Sequence, residues 1–200
     1  MQRAANPGLD APTPIIESEI GVAAASELQA YLQGASRDGT LSRLHQTLRI
    51  AQADVAWLHL LQNLLSRLNR KSWIYREGRR RDVWVIETTW QPESPDELRT
   101  PGEAAAFVRG YFDAEGGVPL RAEDRFYIQF VQKDRADLAR PRASLESLGI
   151  RCGRIHTPSV QVAPDYWRFY VFTTSHADFA RIVGSWHPRK RALLEERFRR

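Results

Sequence analysis

The stretch FVRGYFDAEGGV, residues 107–118, carries the pattern that decides the fold. Small residues recur every four positions at Ala106, Gly110 and Ala114, which places them on one face of a helix. Such a face lets a second helix approach backbone to backbone. The helix is predicted to end at Glu115, although the helix dipole disfavours an acid at a C-terminus. An acid at this place therefore indicates a function.

Residues 30–39 repeat the pattern in the first half of the chain. Ala30 and Gly34 have the same small-residue spacing, and Asp38 is followed by Gly39. If the two helices pack together, Asp38 and Glu115 lie side by side and repel, which raises one pKa. A divalent cation removes that cost, and magnesium prefers oxygen ligands. The expected chemistry is metal-assisted hydrolysis of a phosphodiester bond.

The predicted elements follow the same order in both halves: helix, strand, strand, helix, strand, strand. Two copies with a long period indicate an internal duplication. The predicted organisation is a leader without regular structure at 1–25, a first repeat at 26–90, a linker at 91–102 and a second repeat at 103–200. The predicted boundaries include a helix capped by Ser26, a helix opened by Asp54, a hairpin of 72–75 with 83–86, helices at 103–114, 134–148, 176–184 and 188–198, and strands at 126–131, 150–157 and 166–174.

Composition narrows the function classes. The chain has 200 residues, a net charge of +5 and a pI of about 9.7, which favours a polyanionic partner. One cysteine excludes an internal disulfide and a cysteine-based zinc site. No apolar run is long enough for a membrane span and no secretory signal begins the sequence, so we expect an intracellular protein of the cytoplasm, nucleoid or organelle matrix. No catalytic serine triad, phosphate loop or dinucleotide fingerprint is present.

The motif at 107–118, its copy and the order of elements over about residues 26–198 resemble the LAGLIDADG family of homing and intein endonucleases. The resemblance implies an α+β fold with pseudo-twofold duplicated αββαββα halves. Two curved antiparallel sheets would form a saddle over the DNA major groove. The implied function is that of a site-specific, monomeric endonuclease for double-stranded DNA with a long asymmetric target, linked to intron or intein mobility.

The resemblance also implies site residues. Asp38 and Glu115 would be catalytic and would bind Mg²⁺ or Mn²⁺ beside Gly39 and Gly116. Strand-end glutamines, Gln52 and Gln132, would position water, whereas Asp113 is interpreted as structural. The residues predicted to contact DNA are Arg43, Arg49, Arg79, Arg80, Arg81, Arg121, Arg125, Gln129 and Lys133. A C-terminal basic cluster, Arg189, Lys190, Arg191, Arg197, Arg199 and Arg200, would touch DNA flanks or form a solvated helix face.

Two departures from the family pattern keep a rival interpretation open. Gly110 precedes Glu115 by five residues but Gly34 precedes Asp38 by four, so either the small-residue face or the acid is out of register. Threonines stand at 88–89 and 173–174, where many members carry a lysine, for which Lys133 or Arg49 would substitute. The alternative is a catalytically inactive DNA- or RNA-binding protein, a transcription regulator or an intron maturase.

Overall fold

The computed structural model describes residues 14–78, 82–92, 98–119, 121, 123–158, 161 and 163–198. These residues form two compact units. The first comprises the described residues up to Ala23 together with Gly39–Gln91. The second comprises Ala24–Asp38 and the described residues from Pro92 onward. The predicted repeat boundaries stay a prediction, but the first motif helix lies in the second unit.

A four-stranded antiparallel sheet forms most of the first unit. Its strands are β1 (Gly39–Ser42), β2 (Thr47–Gln52), β3 (Ser72–Arg76) and β4 (Trp84–Thr88), in the order β1-β2-β4-β3. The predicted hairpin is therefore present, with Ile74 opposite Ile86. The unit also contains helices α1 (Pro14–Val22) and α3 (Val55–Arg67), and α3 packs on β3 and β4.

Helix α3 begins where Asp54 predicts it. The Asp54 carboxylate accepts a hydrogen bond of 3.0 Å from the backbone N–H of Ala56, which would otherwise lack a partner in the first turn. The apolar face of the helix is buried throughout, with Leu58, Leu61 and Leu65 at 2% exposure or less. Spacings of three and four residues thus place the core side of this helix as predicted.

Removing the Asp54 cap should weaken the first unit modestly. Asp54→Ala should lower the free energy of unfolding by about 1 kcal/mol, because it leaves an N–H of the first turn unpaired. Urea denaturation followed by circular dichroism measures this change. Asp54→Ser, which keeps an acceptor, should stay within a few tenths of a kcal/mol of wild type. Equal losses in both variants would contradict the capping role.

The second unit joins both motif helices to a three-stranded antiparallel sheet. Its helices are α2 (Ala25–Ala35), α4 (Pro101–Glu115), α5 (Ala139–Ser147), α6 (His176–Asp178) and α7 (Pro188–Phe198). Its strands are β5 (Gly116–Gly117), β6 (Gln129–Gln132) and β7 (Trp167–Tyr170), in that order in the sheet. Phe130 and Phe169 pair across β6 and β7, and their rings stack at 4.9 Å in the core. Helices with two antiparallel sheets confirm the predicted α+β class.

Several predicted boundaries were wrong at helix starts. Helix α2 is capped at Ala24, whose backbone N–H donates to the Glu27 carboxylate, rather than at Ser26. The segment expected to be irregular contains α1, which begins at Pro14, a residue suited to a first helical turn. Thr100 caps α4, so the helix begins two residues earlier than predicted, within the expected linker.

The second half differs most from its predicted elements. Only isolated bridges at Cys152 and His156 stand where a strand was expected over 150–157. Helix α5 begins at Ala139 and not at 134 as predicted. This start places Pro141 in the first turn, the part of a helix in which proline is tolerated. The helix expected over 176–184 is α6 followed by a π-helical turn at Phe179–Val183. Among the described residues, no helix has the length and apolarity that a membrane crossing needs.

Candidate functional site

The two motif helices of the second unit pack backbone against backbone. A Cβ atom added to Gly34 would overlap the carbonyl oxygen of Phe107, and one added to Gly110 would overlap the carbonyl oxygen of Tyr31. Only glycine fits at either position. The small residues of α2 and α4 therefore face each other, as their spacing predicted.

A change of helix type accounts for the one-residue difference between the motifs. Helix α4 stays α-helical from Gly110 to Glu115, whereas α2 ends at Ala35 and continues as a 3-10 turn to Asp38. Because a 3-10 residue rises about 2.0 Å and an α-helical residue about 1.5 Å, both paths from glycine to acid climb about 7.5 Å. Neither the small-residue face nor the acid is out of register along the helix axis.

Glu115 and Asp38 influence each other electrostatically at the ends of these helices. Burial, and after it the nearby charge of Asp38, raise the pKa of Glu115 to about 7. Gln132, the last residue of β6, donates a hydrogen bond of 3.3 Å to Glu115 Oε1. The structure thus brings together three of the four predicted catalytic residues. Gln52 lies in the first unit, at the end of β2 opposite Trp84.

The two glycines predicted beside the metal begin short strands. Gly116 caps α4 through its N–H to the Phe112 carbonyl and pairs with Phe130 across β5 and β6. Gly39 begins β1 in the first unit and pairs with Ile50. Each glycine therefore fixes the backbone that follows an acid.

Asp113 is buried and fully engaged, as its structural interpretation predicted. Its carboxylate accepts hydrogen bonds from the Tyr31 hydroxyl at 2.6 Å and from the Ser185 hydroxyl. It also accepts from the backbone N–H groups of Trp186 at 2.9 Å and His187 at 3.1 Å. Asp113 therefore ties α4 to α2 and to the segment before α7.

Lys190 was wrongly grouped with the surface cluster of basic residues, because the structure buries it. Its ammonium donates to the carbonyl oxygens of Phe112 at 2.7 Å and Asp113 at 2.8 Å, in the last turn of α4. Burial lowers the pKa of Lys190 to about 8, while the charges of Asp113, Glu115 and Asp38 act in the opposite direction. The C-terminus of α4 is the negative end of the helix dipole, which disfavours the Glu115 carboxylate. The Lys190 ammonium at this end offsets that negative charge.

Comparison with known proteins identifies the motif. Residues 102–157, from the start of α4 to beyond α5, match the family described as the LAGLIDADG-like domain. This segment, about a quarter of the chain, is similar to a LAGLIDADG-like domain. The resemblance predicted from the motif at 107–118 is thereby confirmed. No curated protein matches the sequence.

Solved structures share the LAGLIDADG fold with this chain. The structure of I-DmoI in complex with DNA and manganese has a TM-score of 0.59 at 19% identity, covering 80% of this chain and 98% of that one. The N-terminal LAGLIDADG domain of DUF199/WhiA gives 0.66 at 18% identity, with coverages of 85% and 88%. Full-length DUF199/WhiA from Thermatoga maritima gives 0.66 at 18% identity, with 92% and 66%. These likenesses establish the fold.

The acid pair that ends the two motif helices suits a hydrated divalent cation. Asp38 and Glu115 offer carboxylate oxygens, and the burial of Glu115 beside a second acid makes its anionic form costly without a cation. Among the described residues, no group of three histidine, cysteine, aspartate or glutamate side chains could enclose a metal. Magnesium, which usually keeps several waters and takes one or two carboxylates, fits such a donor set.

Metal-free protein should lose stability as the pH rises. The pKa of Glu115 is about 7 in the folded state and near the ordinary 4.5 when unfolded, so the native state binds the extra proton between these values. Its contribution is complete below pH 4.5 and is lost as the pH rises through 7, by on the order of 2 kcal/mol once solvent screening of this partly exposed group is taken into account. Unfolding at several pH values in EDTA should detect this fall, and Glu115→Gln should reduce it. An unchanged slope in the variant would assign the titration elsewhere.

The predicted DNA contacts fall into three groups. Arg43, Arg121, Arg125 and Lys133 are exposed. Arg49 and Gln129 lie on the sheets, on faces that alternate with buried Leu48 and Phe130. Arg79, Arg80 and Arg81, like Arg199 and Arg200 of the C-terminal cluster, lie outside the described residues. The alternation of side chains along a strand did not show from the sequence alone which residues face outward. The structure settles this for β2 and β6.

The sequence reasoning missed polar residues on the outward face of the second sheet. Arg168 and Tyr170 on β7 alternate with the buried Phe169, and the Arg168 guanidinium lies 5.1 Å from the Tyr170 ring centre. His156 pairs with Arg168 through an isolated bridge. One arginine within the aromatic stretch Trp167–Tyr170 was the signal available in the sequence.

Proposed function

We propose that this protein is a site-specific endonuclease for double-stranded DNA that depends on a divalent cation. The observation that carries the proposal is the acid pair of the second unit, in which Asp38 and Glu115 end the two tightly packed motif helices. Both acids come from one chain, which supports action as a monomer on an asymmetric target. The outward faces of the sheets and the net charge of +5 support DNA as the substrate.

The chain's own residues would prepare the site for hydrolysis. Asp38 and Glu115 would hold Mg²⁺ or Mn²⁺, and this cation would supply positive charge at the scissile phosphate. Gln132 donates to Glu115 and so fixes the direction of its carboxylate. Lys190 holds the last carbonyls of α4 and adds a positive charge near both acids.

The relatives support this proposal at the level of chemistry. The homing endonuclease I-DmoI has been solved with DNA and manganese and with DNA and calcium. A divalent cation and duplex DNA therefore occur together on this fold. For the present chain, both remain part of our proposal.

A DNA-binding protein that does not cleave is the second candidate function. Thr88, at the end of β4, stands where many family members carry a lysine. Its hydroxyl donates a hydrogen bond of 2.8 Å to the Lys71 carbonyl and accepts one from the Trp90 N–H. Both contacts hold the backbone at the end of β4 in place. This arrangement favours recognition without catalysis.

A cleavage selection separates the two candidates. The protein is incubated with a plasmid library that carries a long randomised insert, in Mg²⁺, Mn²⁺ or EDTA, and the new ends are captured and sequenced. An endonuclease should enrich one long motif at the ends in Mg²⁺ or Mn²⁺, and nothing in EDTA.

Parallel recovery of uncut, protein-bound DNA completes the test. Enrichment of a motif in the bound fraction without new ends would establish the non-cleaving candidate instead. Absence of any enriched motif in either fraction would contradict DNA recognition itself.

A further inference from the structure

Arg49 occupies the centre of the outward face of the first sheet. It lies on β2, between the buried Leu48 and Ile50, and pairs with Glu87 of β4. Since side chains alternate along a strand, Arg49 and Glu87 point away from the buried face. The Arg49 side chain keeps 37% of its surface exposed.

Neighbouring side chains hold the Arg49 guanidinium in place. Its Nε–H donates 3.0 Å to the Tyr75 hydroxyl, and its Nη2 donates 3.0 Å to Glu77 Oε1. Tyr75 in turn donates 3.0 Å to Glu87, which also accepts 2.6 Å from Thr47. Because these contacts hold one edge of the Arg49 guanidinium, the side chain has lost much of its conformational entropy before any ligand binds.

The unused donors of Arg49 lie together at its tip. A guanidinium has five N–H donors in a fixed plane, and the contacts with Tyr75 and Glu77 use Nε and one hydrogen of Nη2. The other hydrogen of Nη2 and both hydrogens of Nη1 have no partner among the residues that the structure describes, and so can donate to a ligand. Two of these point parallel from the end of the fork, which suits two acceptors side by side.

Charge around Arg49 selects the kind of acceptor. Glu77 and Glu87 contribute two carboxylates within 4.0 Å of one guanidinium, so the cluster is negative overall. Hydrogen bonding from Thr47 lowers the pKa of Glu87, which keeps that carboxylate ionised. A phosphate would be repelled by this cluster, whereas an uncharged pair of acceptors would not be.

We propose that Arg49 reads one guanine of the DNA target through the O6 and N7 atoms of its major-groove edge. This inference rests on the proposed DNA-binding function of the chain. Guanine presents two uncharged acceptors side by side, and the pair is matched bidentately by arginine. Arg49 is thus a specificity-determining residue, with Tyr75 and Glu77 as its positioning residues.

Arg168 provides a matched comparison on the second sheet. It also lies on an outward face, opposite Val131, and stacks on Tyr170. No ion pair joins it to a carboxylate within the described part of the chain. An arginine without such compensation is suited to phosphate, so its loss should weaken binding to all sequences alike.

The test measures sequence preference and salt dependence separately. Binding of the selected target is measured by fluorescence anisotropy in EDTA, with each base pair replaced in turn. Wild type should lose about 10- to 100-fold affinity at one G·C pair, and Arg49→Ala should lose this preference with an unchanged salt slope. Arg168→Ala should weaken binding on every target and lower the salt slope by about one.

A second variant guards against misfolding of Arg49→Ala. Glu77→Ala retains the Arg49 charge but no longer holds its guanidinium in place, so it should reduce discrimination at the same G·C pair. Uniform weakening and a smaller salt slope in Arg49→Ala would assign Arg49 to phosphate and overturn the inference. Unchanged base preference in both variants would overturn it as well. If wild type selects no DNA site at all, the proposed function has failed first.

Discussion

Glu115→Gln should abolish DNA cleavage while the protein still binds its target. The substitution keeps the size of the side chain and leaves an amide oxygen to accept from Gln132, but it removes one of two anionic oxygen donors. Loss of a cation-binding carboxylate should lower the cleavage rate by roughly a thousandfold or more, since the cation offsets charge that develops at the phosphate. Asp38→Asn should have a similar effect. Single-turnover cleavage of the selected target measures both.

Asp137→Asn is the matched control for this loss. Asp137 also raises the pKa of Glu115 through its charge, but it is paired with Arg37 at 3.1 Å. Its removal changes the local charge by the same amount without removing a proposed ligand. It should therefore keep cleavage within a few-fold of wild type. If all three variants lose activity equally, general electrostatics and not cation binding would explain the result.

Target affinity in EDTA decides between a catalytic and a structural effect. A catalytic loss leaves the affinity of Glu115→Gln at or above that of wild type, since in EDTA the substitution removes a negative charge and no contact that attracts a phosphate. Titration with Mn²⁺, followed by its paramagnetic resonance signal, should give weaker binding in the variant. Unchanged Mn²⁺ affinity would mean that Glu115 is not a ligand.

The motif helix and its packing could be predicted because local spacing determines them. Gly34 and Gly110 are recognisable as contact points from the four-residue repeat alone. The Asp54 cap and the hairpin of β3 and β4 likewise depend on residues that are close in the sequence. The Asp54 cap is fixed by residues within a few positions. The four-residue spacing marks the contact face of each motif helix, although the helix that packs on it lies more than 70 residues away.

Features that depend on distant contacts could not be predicted. Lys190 lies among arginines in a basic stretch, and only its contacts with α4, 77 and 78 residues away, reveal that it is buried. The 3-10 turn at Ser36–Asp38 has no recognisable signal in the residue types of that segment. The 3-10 turn also explains why counting residues between glycine and acid indicated a conflict where the geometry has none.

The outward residues of the sheets show a third kind of limit. An error of one residue in the predicted start of a strand exchanges its two faces. Arg49 and Gln129 could therefore be predicted as DNA contacts, but the face of the sheet on which each lies could not be predicted. Pairing with Glu87 and Tyr170 settles their faces. The two carboxylates beside Arg49 come from the residue after β3, Glu77, and from β4, Glu87, so the charge around Arg49 could not be derived from its own stretch of sequence.

Gly110→Ala should strongly destabilise the protein. The new Cβ would overlap the carbonyl oxygen of Tyr31 and lie 3.0 Å from the backbone nitrogen of Ala35. Both are backbone atoms of a packed helix, so they cannot move aside as a side chain does. We expect a loss of more than about 3 kcal/mol, or roughly 10 °C in Tm, despite the better helix propensity of alanine.

Gly21→Ala is the control, because it adds the same atom to a helix where nothing lies within 4 Å. Higher helix propensity should then raise the stability of that variant by up to about 1 kcal/mol. Thermal unfolding of both variants by calorimetry measures the contrast. Since Asp38 and Glu115 follow directly from the helices that Gly110 holds together, Gly110→Ala should also weaken Mn²⁺ binding, and Gly21→Ala should not. A Gly110→Ala protein as stable as wild type would mean that the helices can separate freely, and the pairing of the two acids would lose its structural basis.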